Sequence, residues 1–167
     1  DAANAFDPYT VARYARRIGS HPQNLLNQRG FLLSRTFTCH QLTVLLEERI
    51  QQHLNDIPAI VVISGPLNRF MDENFPWREC KTLFGRFYNA IKKISQEVPL
   101  LIVQPIVAVG SWRRRSLFRE LIILAETFMS VEADGEGVKI QMMKPVRKVI
   151  RNRDSRYLVP PASWKVF

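Results

Sequence analysis

The chain is short of acid. Against 24 lysines and arginines in 167 residues stand 15 aspartates and glutamates, a formal charge of +9 and a pI near 10.1. An excess of that sign points to a polyanionic partner, nucleic acid first. Cysteine is scarce too. Cys39 and Cys80 form no CxxC pair, which argues against a metal or redox site and for buried or free thiols of a cytosolic protein. His21, His40 and His53 are scattered and make no ligand pair. No apolar run approaches the ~20 residues of a spanning helix, so no membrane is expected. Residues 1–20 are polar and mixed, unlike a secretory leader. There is no G-x-S-x-G elbow, and the acid pairs Glu47-Glu48 and Asp72-Glu73 are sequence neighbours that do not converge; no hydrolase or transferase site is legible. None of the seven glycines precedes a lysine, so the Gly-rich, Lys-Ser/Thr phosphate loop is missing from residues 1–167. Nor is there an initiator Met; the chain opens on Asp1, and a segment upstream is expected.

Apolar residues make up 46% of what is present, enough for one globular domain with a sizeable core. Ile57–Pro66, IPAIVVISGP, is the organising stretch. Its apolar run is rich in β-branched residues and ends in Ser64-Gly65-Pro66, which predicts a parallel strand buried on both faces. Ligands of such sheets bind beyond the strands' carboxyl ends, which places Ser64–Asn68 at the working edge.

In chain order, Asp1–Ala5 reads as the tail of a strand. Asp7-Pro8 opens a helix with an inner stripe of Tyr9, Ala12, Ala15 and Ile18, arginines outside, and a stop at Gly19. His21-Pro22 begins a short turn or helix to Leu26, and Gly30–Arg35 reads as a second buried strand. Thr36 or Thr38 caps a helix running to about His53. Asn68–Pro76 is an irregular loop. Trp77–Glu97 is a helix with Leu83, Phe84, Phe87, Ile91 and Ile94 inward. Pro99–Val103 is a third buried strand. Ile122–Ala133 and Val138–Met143 predict a β-hairpin turned at Asp134-Gly135-Glu136-Gly137. Residues 144–167 hold six cations against Asp154 alone and predict an extended basic arm. Residues 1–143 are one domain, and 144–167 its tail.

This ordered series resembles the ATPase core of the RecA family, most closely the branch of archaeal RadA and the eukaryotic recombinases. DAANAFDP is similar to that family's strand end D-T-E-G-x-F-x-P, and LSRTFTCHQLTVLLEE to its xARAxxxxHQxxLLE segment, with His40-Gln41 in matching places. The resemblance makes IPAIVVIS the Walker B strand and LLIVQP the strand leading to the second DNA-binding loop. It covers most of the chain, to about Met143. The fold it implies is an α/β, P-loop-NTPase-type mainly parallel sheet flanked by helices and ending in an antiparallel hairpin.

The departures bear on activity. In the family the phosphate loop lies N-terminal to where this chain begins, so ATP and Mg are implied only if such a loop exists outside residues 1–167. The family's catalytic glutamate falls at Ala3 and its Walker B aspartate at Ser64. A methyl group cannot orient water as a base, and a neutral hydroxyl supports Mg²⁺ weakly. Gln104 stands near the family's nucleotide-sensing glutamine; a strand-end amide bonded to backbone is the plainer reading.

Trp112-Arg113-Arg114-Arg115 occupies the place of the second DNA-binding loop. Three guanidinium groups there would neutralise phosphates while the indole stacks on an unpaired base. Arg69 and Arg78 stand where the first loop would be, with Trp77 as a packing anchor. Lys144, Arg147, Lys148, Arg151 and Arg153 would grip phosphates from the tail. The expectation is a DNA-binding RecA-like paralogue in recombination or repair, without efficient ATP hydrolysis, in the cytoplasmic nucleoid or the nucleus. Its partners would be DNA, chiefly single-stranded, and RecA-family protomers or further copies of itself. Two rivals stand beside it: a working DNA-dependent ATPase with its phosphate loop upstream, and a protein-binding scaffold whose basic tail docks on an acidic partner.

Overall fold

The computed structural model describes residues 1–21, 23, 31–54, 60–105, 111–134, 137–144, 148–152 and 164–166. They form a mixed α/β structure built on one six-stranded sheet. Its strands are β1 (Val61–Ser64), β2 (Leu100–Pro105), β3 (Phe128–Asp134), β4 (Gly137–Lys144), β5 (Lys148–Asn152) and β6 (Trp164–Val166). They lie in the order β1-β2-β6-β3-β4-β5. Only β1 and β2 run parallel, with Val61 opposite Leu100 and Ser64 opposite Val103; the other four pairings are antiparallel. The mainly parallel sheet expected from the sequence is thus a single parallel pair among the described residues.

Helix α1 (Pro8–Arg17) begins as its sequence dictates. Asp7 accepts N–H bonds from Tyr9 and Thr10, Pro8 fills a first-turn position, and Gly19 follows the helix at φ +73°. Its inner stripe is not as expected. Ala15 alone is buried, and Tyr9 and Ile18 face solvent. Thr38, not Thr36, caps the next helix, accepting from the Gln41 N–H at 3.1 Å while Gln41 Oε1 takes the N–H of Phe37, close to the reciprocal pattern of a capping box. That helix runs as α2 (Cys39–Val44), a π-helical turn (Leu45–Arg49) and α3 (Ile50–Leu54).

The core forms around α4 (Trp77–Glu97). Its predicted inward positions Leu83, Phe84, Phe87, Ile91 and Ile94 are all buried. Phe70 closes an aromatic cluster with Phe84 and Phe87, centroids 5.5 to 5.7 Å apart. Leu117 and Leu121 join it from α5 (Trp112–Leu124).

Three strand expectations fail for the same reason: apolar, β-branched composition records fitness for a strand and not its neighbours. β1 lies at the sheet's edge; Ile63 is buried, but Val62 is 53% exposed. Phe31–Arg35 forms no strand and leaves Leu32 and Leu33 exposed. Asp1–Ala5 forms none either; the backbone N–H groups of Ala2 and Ala3 instead donate to the Ser64 carbonyl at 2.8 and 2.9 Å.

The C-terminal half departs further. Residues 122–124 complete α5, so the hairpin starts at Phe128. It pairs Phe128 with Lys144 and Asp134 with Gly137; turn residues 135–136 lie outside the described residues. The tail is not simply an arm. Lys148–Asn152 extends the hairpin as β5, and Trp164–Val166 enters the sheet between β2 and β3. The expected turn from His21-Pro22 to Leu26 lies largely outside the described residues.

Gly65 tests this arrangement. Its φ is +61°, and a Cβ there would collide with the Cβ of Ala3. Gly65→Ala therefore incurs both left-handed strain and overlap and should cost about 2–4 kcal/mol. Gly19→Ala meets open space at a similar φ and should cost about 1 kcal/mol. Urea denaturation of the two variants measures the difference, and equal losses would contradict the close approach of Ala3.

Candidate nucleic-acid interface

The site begins with one buried cation. Arg114 lies in the first turn of α5 and is 3% exposed. Its guanidinium donates to the carbonyls of Phe70 and Phe75, the latter at 2.5 Å, and meets Cys80 Sγ at 3.2 Å. A planar fork of donors suits converging carbonyls. Arg114 thus pins both ends of the loop between the Pro66–Arg69 turn and α4. Within that loop Asp72 accepts from the Asn74 N–H at 2.9 Å. Glu73 accepts from the Ser111 N–H at 2.9 Å, its carboxylate set at the N-terminus of α5, where the helix dipole favours negative charge.

This clasp shapes an open groove of about 370 Å³ between the N-termini of α4 and α5, lined by Phe75, Trp77, Trp112 and Arg113 among others. Trp112 is 76% exposed, and the Arg113 guanidinium lies 5.6 Å from its ring centroid. Trp77 is half-buried and packs against the core, as read from the sequence, while also lining the groove.

The three arginines expected to act together are divided by the helix they occupy. Successive residues turn by about 100°, so Arg113 and Arg115 project roughly 200° apart with Arg114 between them facing inward. Arg113 and Arg115 are exposed. Arg114 is withdrawn as a phosphate contact: its donors are already spent on carbonyls in the interior. Arg78 is exposed one residue beyond Trp77, and Arg69 is half-buried, its Nε without a hydrogen-bond partner among the described residues.

The tail cations are equally divided. Lys144 Nζ donates to the carbonyls of Ile122, Ile123 and Ala125, at 3.4 and 3.1 Å for the first two, and so caps the C-terminus of α5. It is a helix cap before it is a phosphate ligand. Lys148 and Arg151 occupy positions in β5 opposite Met142 and Lys139; Arg147 and Arg153 lie outside the described residues.

At the other end of β1, Ser64 and Ala3 are brought together through the backbone bond from Ala3 N–H to Ser64 O. Gln104, 1% exposed, is spent internally. Its Oε1 accepts from the Leu67 N–H at 2.9 Å, and its Nε2 donates to Asn68 Oδ1 at 3.0 Å and to the Pro105 carbonyl at 2.9 Å. It ties the end of β2 to the turn after β1.

The parts of Glu73, Phe75 and Ser111 were not legible in the sequence. A helix start at Ser111 was, through Ser111 ahead of Leu117 and Leu121 four residues apart, and it would have separated the arginines. Cys39 and Cys80 are free and buried, and burial pushes both thiols above their ordinary pKa.

Two measurements check the clasp. Arg114→Met leaves two carbonyls without donors and should lower stability by about 2–4 kcal/mol, whereas exposed Arg113→Ala should change it by less than about 0.5 kcal/mol. Both thiols should resist an aromatic disulfide reagent in the folded protein and react promptly in denaturant; rapid native labelling of Cys80 would contradict its burial.

No family model matches this sequence, and no curated protein matches it.

Proposed function

We propose that this chain is a DNA-binding, RecA-like paralogue serving recombination or repair, without efficient ATP hydrolysis. The observation that carries the reading is the exposed Trp112 indole with Arg113 beside it at the mouth of a groove that Trp77 also lines. Unpaired bases stack on such faces at about 1–3 kcal/mol each, without regard to sequence. The formal charge of +9 supplies the long-range attraction that brings a polyanion to them. Single-stranded DNA is the substrate this favours, since a base within a duplex has no free face.

The hydrolysis half of the proposal rests on Ala3 and Ser64. The resemblance makes these the family's two catalytic carboxylate positions, and the fold sets their backbones in hydrogen-bond contact. Neither has a carboxylate to offer a metal ion or a water. Residues 1–143 would be the RecA-like unit. A protomer of this kind can cap or bridge active family members, whose head-to-tail stacking is a heterologous interface.

A fluorescent 30-mer single strand titrated across a salt series, with and without ATP, tests both halves. Binding should be steeply salt-dependent and indifferent to ATP. Trp112→Ala should weaken it about tenfold. Arg113→Glu with Arg115→Glu should weaken it further and flatten the salt slope. An unchanged affinity and slope in the double variant would sink the DNA reading, and binding that required ATP would restore a nucleotide site.

A further inference from the structure

Helix α1 stands apart from the groove in its chemistry. It carries Arg13, Arg16 and Arg17 within ten residues and no acid. Of those ten residues only Ala15 is buried, and beyond them Ile18 is 78% exposed. A helix of this length is marginal in water unless an apolar face is packed. The two carboxylates close by are consumed locally. Asp7 caps α1 through the N–H groups of Tyr9 and Thr10. Asp1 accepts from the N–H groups of Ala5 and Phe6 and lies 3.8 Å from Arg35.

The segment 31–37 runs beside the start of α1, held there by Phe31 stacked on Phe6 with centroids 5.2 Å apart. It leaves Leu32 and Phe37 exposed by 66% and 62%. Cations without neighbouring acid and large apolar side chains in water therefore occur together on adjacent elements. Scattered exposed apolar residues need no explanation; their concentration on a thinly packed basic helix and its neighbour does.

We propose that α1 and residues 31–37 form a docking surface for an acidic, amphipathic segment of a partner protein. Charge complementarity selects the acid: carboxylates would meet Arg13 and Arg16, and the attraction would speed and orient encounter. The apolar residues select a protein over a nucleic acid. A phosphate backbone would engage the arginines but leave Ile18, Leu32 and Phe37 in water, whereas one apolar stripe of an amphipathic helix covers them.

The test uses the full chain and a fluorescein-labelled 20-residue peptide with leucines at helical spacing and glutamates elsewhere. Poly-glutamate of equal charge and a single-stranded 30-mer are the comparisons. The amphipathic peptide should bind more tightly than poly-glutamate. Arg13→Glu with Arg16→Glu, and separately Ile18→Ser, should each weaken it about tenfold. Arg113→Glu with Arg115→Glu should leave it unchanged. All these residues are exposed, and circular dichroism checks that each variant folds. Absence of peptide binding, equal binding to poly-glutamate, or loss of 30-mer affinity in the α1 variants in place of peptide affinity would each overturn the proposal.

Discussion

A guanidinium buried without a carboxylate partner among the described residues sets the form of the candidate site. Taking a charge out of water is costly unless its donors are satisfied. Arg114 meets that demand with the carbonyls of Phe70 and Phe75 and the sulfur of Cys80. Those groups come from the loop before α4 and from α4 itself, so one side chain joins the start of α5 to both. The apolar cluster of Phe70, Phe84 and Phe87 beneath supplies the low-polarity surroundings in which these hydrogen bonds are strong. The groove follows from the join, because its two tryptophans stand at the helix starts that Arg114 brings together.

The same economy recurs elsewhere. Lys144 gives its ammonium to the last carbonyls of α5, and Glu73 gives its carboxylate to the first turn. The helix is therefore held at both ends by charges of the sign its dipole favours. Gln104 saturates its amide between β2 and the turn after β1. Side chains that look available in a sequence are occupied in the fold, and the cations left for a ligand are fewer than the composition suggests.

Local physics was legible where it decides structure. Asp7-Pro8, Thr38 and the 3.6-residue spacing of α4 announce helix starts and a buried face, and each is found at those residues. What failed was non-local. Val61–Ser64 has the composition of an inner strand but sits at an edge, because its second neighbour is not written in its own residues. Phe31–Arg35 has strand composition and finds no strand partner. Trp112–Arg115 reads as a basic patch in one dimension, yet a helix scatters it to three directions. Trp164–Val166 is too short for any periodicity, so its place in the sheet could be known only from its pairing.

That last placement reaches beyond the site. β6 is hydrogen-bonded to β2 on one side and β3 on the other, so the parallel pair and the antiparallel hairpin become one sheet only when residues 164–166 arrive. The hairpin and its β5 extension are local and can form early, but closure waits on a strand some sixty residues beyond β2 in sequence, at a loop entropy that grows slowly with length while the search it imposes is slow. During synthesis, an emerging chain would carry two unjoined sheet edges, β2 and β3, until this segment clears the ribosome. That interval is when a neighbouring nascent chain could insert a strand of its own, and it makes a three-residue strand the point at which correct assembly and domain swapping compete.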